Sequence, residues 1–206
     1  MTVIMGHKTA NKIYLGADNR ICTTEDEFVR DNDMKIVAVN NDLAVAFSGS
    51  CGMQFLFELF TKKKREYMRV EDALRTLKTV YRFSKLLWIR KKYRPALNCA
   101  SRFLVAGKDK KGEYCIYAVS ILNRKLEKPL LVNTFMFPPA DADEKNCCEI
   151  FRNYIRKSDN DFIQKTVKDI AQISKVISSS GDIWEYDMTT GKSLLKHFKE
   201  TVSSFV

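Results

Sequence analysis

Apolar and polar positions change period several times along this chain, and each change marks an element. Residues 2–6 and 12–18 are strand-like runs on either side of the polar turn Lys8-Thr9-Ala10-Asn11, which predicts a strand pair. A second pair, Lys35–Val39 and Leu43–Phe47, is predicted across Asn40-Asn41-Asp42, with the charged loop Thr23–Asp33 between the two pairs. Gly49 and Gly52 then lead into a helix over Met53–Tyr67. Its first turns are apolar nearly all round (Phe55, Leu56, Phe57, Leu59, Phe60), which implies burial on more than one side. Val70, Ala73, Leu74, Leu77, Val80, Tyr81, Ser84, Leu87 and Trp88 follow with three- and four-residue spacing, a helix that must end before Pro95.

Two more strands, Arg102–Gly107 and Glu113–Val119, flank the turn Lys108–Gly112. Residues 130–137 form another apolar run, broken by Pro138-Pro139 and the acidic stretch Asp141–Glu144. Helix-like segments near 144–157 and 160–172, a strand pair around 173–187 and a short helix from Lys192 complete the chain. No linker or repeat interrupts it, so residues 1–206 are expected to form one domain. This order of elements suggests an α+β layered fold, in which antiparallel sheets meet face to face and helices cover both outer surfaces.

Composition narrows the function classes. Hydrophobic content of 45% and charged content of 29% are those of a soluble globular protein. No apolar run approaches the roughly 18 to 20 residues that span a bilayer. The first residues also lack the basic flank and apolar block of a secretory signal, so the expectation is a cytoplasmic protein without membrane partners. The six cysteines (Cys22, Cys51, Cys99, Cys115, Cys147, Cys148) fit neither a disulfide framework nor zinc spacing, and read as reduced, packed thiols. With His7 and His197 alone, a histidine metal site or a Ser-His-Asp triad is not expected, and no cofactor is called for. Net charge is +10, concentrated in Lys62-Lys63-Lys64-Arg65 and Arg90-Lys91-Lys92-Tyr93-Arg94. No nucleic-acid recognition motif accompanies that charge, so it reads as a solvated or partner-facing surface.

Candidate chemistry begins at Thr2. If Met1 is removed, the same residue carries a free amine and a hydroxyl, and an adjacent α-amine can act as base for a hydroxyl that is a poor nucleophile by itself. A lysine ammonium nearby would push that amine toward its neutral, proton-accepting form. Thr2, Gly16-Ala17-Asp18-Asn19-Arg20, Lys35 and Ser48-Gly49-Ser50 occur in order within about fifty residues. This constellation resembles the N-terminal half of proteasome β-type subunits and of the related bacterial heat-shock-locus V peptidase. Both are N-terminal-nucleophile (Ntn) hydrolases. The hairpin FLVAGKDKKGEYCIYAV is also similar to that family's fifth and sixth strands.

The resemblance implies a four-layer αββα sandwich and a threonine peptidase acting on unfolded polypeptides inside stacked homo-oligomeric rings. It also implies an ATPase or gating ring as partner; the chain has no GxxxxGK[ST] loop for ATP of its own. Carried over by position, Thr2 is the nucleophile, Asp18 and Lys35 its electrostatic support, and Gly49 the oxyanion donor. Arg20, Cys22 and Ser50 are the candidate substrate-binding residues. The sequence departs from the family pattern farther on. Where active members have a G-S-G turn, it reads Phe135-Met136-Phe137-Pro138-Pro139-Ala140. The family's Asp-x-x-Ser pair has two registers here: one keeps Asp169, the ungapped choice, with Gln172 for the serine; the other supplies Ser178 or Ser180 and loses the acid. A non-catalytic, partner-binding paralogue and an Ntn amidase for small amides are the alternative functions.

Overall fold

The computed structural model describes residues 2–22, 28–31, 33–88, 100–122 and 125–199. Met1, most of the loop Thr23–Asp33, the basic cluster Arg90–Arg94, Pro95 and Cys99 lie outside the described residues. The chain opens with strands β1 (Ile4–Lys8), β2 (Lys12–Asp18), β3 (Arg20–Cys22), β4 (Phe28–Asp31), β5 (Ile36–Asn40) and β6 (Leu43–Ser48). Helix α1 (Cys51–Thr61), a 3-10 turn (Arg65–Tyr67) and α2 (Val70–Trp88) follow. Then come β7 (Ser101–Lys108), β8 (Tyr114–Leu122), β9 (Lys125–Leu126), β10 (Leu130–Val132) and β11 (Thr134–Phe137). Helices α3 (Glu144–Arg156) and α4 (Phe162–Ile173) precede β12 (Gly181–Asp187) and β13 (Lys192–Phe198).

Most strands fall into two antiparallel sheets. The five-stranded sheet has the order β11-β1-β2-β12-β13, and the six-stranded one runs β10-β8-β7-β6-β5 with β9 on β8. Successive side chains of a strand point to opposite faces, and the buried residues divide accordingly. Val45, Phe47, Phe103, Val105 and Val119 share a cluster with Met53, Leu56 and Phe57 of α1 and Leu77 and Val80 of α2. Their neighbours Ala44, Ala46, Leu104, Ala106 and Ala118 join Ile4, Ile13, Leu15 and Trp184 of the other sheet. The remaining face of that second sheet (Val3, Met5, Met136) packs on Phe151 of α3 and Ile163 and Val167 of α4. Small alanines toward the other sheet and larger side chains toward the helices explain why β6 is buried along its whole length.

Three expectations need correction. Residues from Lys192 form β13 and not a helix: Asp187 accepts from the backbone N–H of Thr189 and Thr190, Gly191 takes φ 67°, and the returning chain pairs with β12 from Asp187↔Lys192 to Gly181↔Phe198. The strand pair around 173–187 reduces to β12, because Ser174 and Lys175 are held instead by the carboxylate of Asp141 at 2.7 and 2.8 Å. The helix over Met53–Tyr67 stops at Thr61, whose buried hydroxyl donates to Phe57 O at 2.9 Å, and a 3-10 turn takes over. The apolar run 130–137 splits, with β10 on β8 of one sheet and β11 on β1 of the other.

Candidate active site

β1 and β2 pair with Ile4 opposite Ala17, so the residues just before β1 lie beside the end of β2. That register puts Thr2 and Val3 next to Asp18. Asp18 is wholly buried, and its carboxylate accepts the backbone N–H of Val3 at 3.0 Å, of Arg20 at 2.9 Å and of Ser178 at 3.3 Å. Lys35, immediately before β5, sends its ammonium into the same place. Its Nζ donates to Thr2 Oγ1, to the carbonyl of Arg20 and, at 3.4 Å, to Asp18 Oδ2. An ammonium has three protons to donate, and Lys35 has three oxygens around it. Both side chains of the ion pair are nearly inaccessible, at 8% and 0%. Burial pushes the Asp18 carboxyl above its ordinary pKa, opposed by Lys35 and by the N–H groups of Arg20 and Ser178. Such a pair is retained only where the remaining hydrogen-bonding capacity is filled, and here it is.

Thr2 is itself buried, and its carbonyl accepts the hydroxyl of Ser48 at 2.8 Å. Because Lys35 donates to Thr2 Oγ1, the hydroxyl proton is left for another acceptor while positive charge stabilises the oxygen. One groove holds Thr2, Arg20, Cys22, Lys35, Gly49 and Ser50. Gly49 follows β6 with φ 100°, and a Cβ there would lie 2.0 Å from the carbonyl oxygen of Ala100, so only glycine is accommodated. Ser50 precedes α1 and its carbonyl accepts Met53 N at 3.0 Å.

Two of the groove's residues are engaged with protein rather than held open for a ligand. The Arg20 guanidinium meets Asp31 through Nε at 3.0 Å and Nη2 at 3.1 Å, and donates through Nη1 to the carbonyl of Lys175 at 3.1 Å. Cys22 Sγ faces Val176 O at 3.6 Å, and burial pushes its thiol up in pKa, away from the reactive thiolate.

Asp169 is not brought to Asp18 or Lys35. It sits on α4, where its carboxylate accepts the hydroxyl of Tyr154 of α3 at 2.6 Å. What reaches Asp18 is Ser178, whose Oγ also meets Ser180 Oγ at 2.7 Å. The geometry therefore follows the register that supplies a serine and has Lys175, not an acid, three positions earlier. Two other residues escaped the sequence reading. Ser48 was part of the quoted Ser48-Gly49-Ser50 segment, but spacing alone does not say which serine turns inward. Asp141 read as a member of an acidic break, yet its carboxylate pins Ser174 and Lys175 and so fixes the approach to Ser178. Among the described residues no group of His, Cys, Asp and Glu could hold a metal ion, and no helix is long and apolar enough to cross a membrane.

A family model described as Proteasome subunit matches residues 2–128. The matched stretch contains Thr2, Asp18, Arg20, Cys22, Lys35, Gly49 and Ser50, and ends before Phe135–Ala140 and Asp169. No curated protein matches the chain. The match agrees with the proteasome side of the resemblance and does not single out the bacterial peptidase. With more than half of its length matched, this chain belongs to the proteasome subunit family.

Proposed function

We propose that this protein is a threonine endopeptidase that uses Thr2 as its nucleophile once Met1 has been removed. The observation that carries the reading is the hydrogen bond from the buried Lys35 ammonium to Thr2 Oγ1, with Asp18 behind it. The freed α-amine of Thr2 takes the proton from Oγ as Oγ attacks the scissile carbonyl. Lys35 keeps that amine neutral by like-charge repulsion and stabilises charge on Oγ. Oxygen charge that develops on the carbonyl is met by the backbone N–H of Gly49, a fixed dipole whose contribution in such sites is about 3 to 4 kcal/mol. The protonated amine then returns its proton to the leaving amine, and the C–N bond breaks. The ester on Thr2 is hydrolysed by a water that the same amine deprotonates.

The assembly belongs to the same proposal. The three buried clusters are read as the three interfaces of a four-layer αββα sandwich. Subunits pack into rings, the substrate is unfolded polypeptide, and an ATPase or gating ring delivers it. Intact mass of the mature protein and labelling by a threonine-directed electrophile test the catalytic reading together. The expected result is a mass lacking Met1 and one adduct, absent in Thr2→Ala. Full peptidase activity with Met1 retained defeats the proposal. A trimmed chain whose Thr2 takes no label assigns it a structural role.

A further inference from the structure

Away from Thr2, beyond the C-terminus of α1, the 3-10 turn and α2 enclose a groove of about 430 Å³. Phe60, Tyr67 and the buried Met68 supply its apolar surface, and Lys63, Lys64 and Arg75 stand along it. Tyr67 is 81% exposed and Phe60 38%, although Phe60 is fixed edge-on against Phe83 at 5.6 Å. Among the described residues Lys63 and Lys64 form no ion pair, and Arg75 reaches Asp72 only at 3.9 Å. Lys78, Arg82 and Lys85 of α2 are also exposed but do not line the groove, and Lys85 sits over the Tyr81 ring at 4.5 Å. Cations without partners around exposed aromatic rings are matched by a ligand of opposite charge with an apolar anchor.

We propose that this groove docks an acidic polypeptide segment of another protein, one that carries a large apolar side chain among its carboxylates. A second copy of the chain is a poorer occupant than an acidic partner, because its 35 Lys and Arg outnumber its 25 Asp and Glu and most of its segments carry like charge to this groove. Of the chain's acidic stretches, Asp141–Glu144 is engaged, with Asp141 on Ser174 and Asp143 accepting the N–H of Asn146 at 2.8 Å. Occupation by Glu25-Asp26-Glu27 of a second copy is the outcome that a self-association measurement reads. A nucleic acid fits less well. No nucleic-acid recognition motif accompanies these cations, and the carboxylate of Asp72 in the same groove is already held by the N–H of Arg69 at 3.2 Å and by Lys110 at 3.3 Å. The docking does not depend on the chemistry at Thr2.

The test is fluorescence anisotropy with a labelled peptide, Glu-Glu-Leu-Glu-Glu, its all-Gln counterpart and a labelled oligouridine. The Glu peptide should bind saturably and the Gln peptide should not. Lys63→Glu/Lys64→Glu should weaken binding by about tenfold or more, with Lys63→Gln/Lys64→Gln intermediate, and about 0.5 M salt should do the same to wild type. Tyr67→Ala should weaken it with the charges intact. Circular dichroism establishes that each variant is folded. The proposal is overturned by absence of saturable binding, by equal binding to the charge-reversed variant or by preference for oligouridine. Loss of self-association in the double variant also overturns it, since that assigns the groove to a second copy.

Discussion

At the scale of single residues, the arrangement around Lys35 makes opposite demands on its two side-chain partners, Asp18 and Thr2. Removing Asp18 leaves an ammonium buried without its carboxylate, and breaking a buried pair from one side costs about 3 to 5 kcal/mol. Asp18→Ala should therefore lower unfolding free energy by that amount in urea titrations, beyond any loss of activity. Thr2 contributes one hydrogen bond to the same cluster, so Thr2→Ala should cost only about 1 to 3 kcal/mol while abolishing turnover and labelling. Thr2→Ser keeps both the oxygen and the amine and should restore them. If Thr2→Ala turns over peptide normally, the nucleophile is elsewhere. The matching residues were legible in the sequence because each is tied to a fixed point of a short hairpin: Thr2 before β1, Asp18 at the end of β2, Lys35 before β5, Gly49 after β6. Ser178 was legible only as one of two registers. Ser48 and Asp141 were not legible, since the partners of their side chains, Thr2 O for Ser48 and Ser174 and Lys175 for Asp141, are brought to them only by the fold.

At the scale of elements, the strongly periodic segments gave themselves away, and the irregular ones did not. α2 has apolar residues at helical spacing throughout and is found where its pattern places it. β13 does not, because an exposed edge strand lacks a clean apolar alternation and its pairing is decided by the Asp187–Gly191 turn. Asp169 shows a related limit: an ungapped register that puts an acid on a helix does not say which face the acid occupies, and here its carboxylate accepts the hydroxyl of Tyr154. The turn between β5 and β6 offers a test of how elements are tied together. Asp42 accepts from Arg69, just before α2, at 2.5 Å and from Tyr186 of β12 at 3.1 Å. Burial pushes its carboxyl up, but these hydrogen bonds and the charge of Arg69 outweigh that and leave its pKa below the ordinary value. A depressed folded-state pKa means that Asp42 stabilises the fold above its unfolded value, about 4, and that this stabilisation is lost as pH falls through the folded value. Urea unfolding followed from about pH 6 to pH 3 should therefore show a shallower acid decline in Asp42→Asn than in wild type. Parallel curves would show that the three-element contact carries no pH-linked stability.

At the scale of the whole molecule, α1 is the element whose sequence and surroundings disagree. Its apolar residues surround the helix, which implied burial on more than one side, yet a single chain buries only the face with Met53, Leu56, Phe57 and Thr61. Phe55 remains 67% exposed and Leu59 57%. These two lie four residues apart and so share one stripe, on the side of α1 away from the six-stranded sheet. Members of the family assemble into rings, and a stripe of this kind is what a subunit interface covers, whereas monomers rarely leave large rings in contiguous patches. Light scattering at micromolar concentration should find an assembly of at least six subunits. Phe55→Glu/Leu59→Glu should shift it toward smaller species while leaving the melting temperature of the subunit nearly unchanged, since neither side chain contributes to its core. Ring interfaces need large complementary areas, so two charges placed in the middle of one should weaken it steeply. A wild-type monomer would remove the assembly from the proposal and favour a free-standing amidase. An oligomer indifferent to both substitutions would mean that the subunits meet through another face, and that the apolar stripe of α1 serves a different partner.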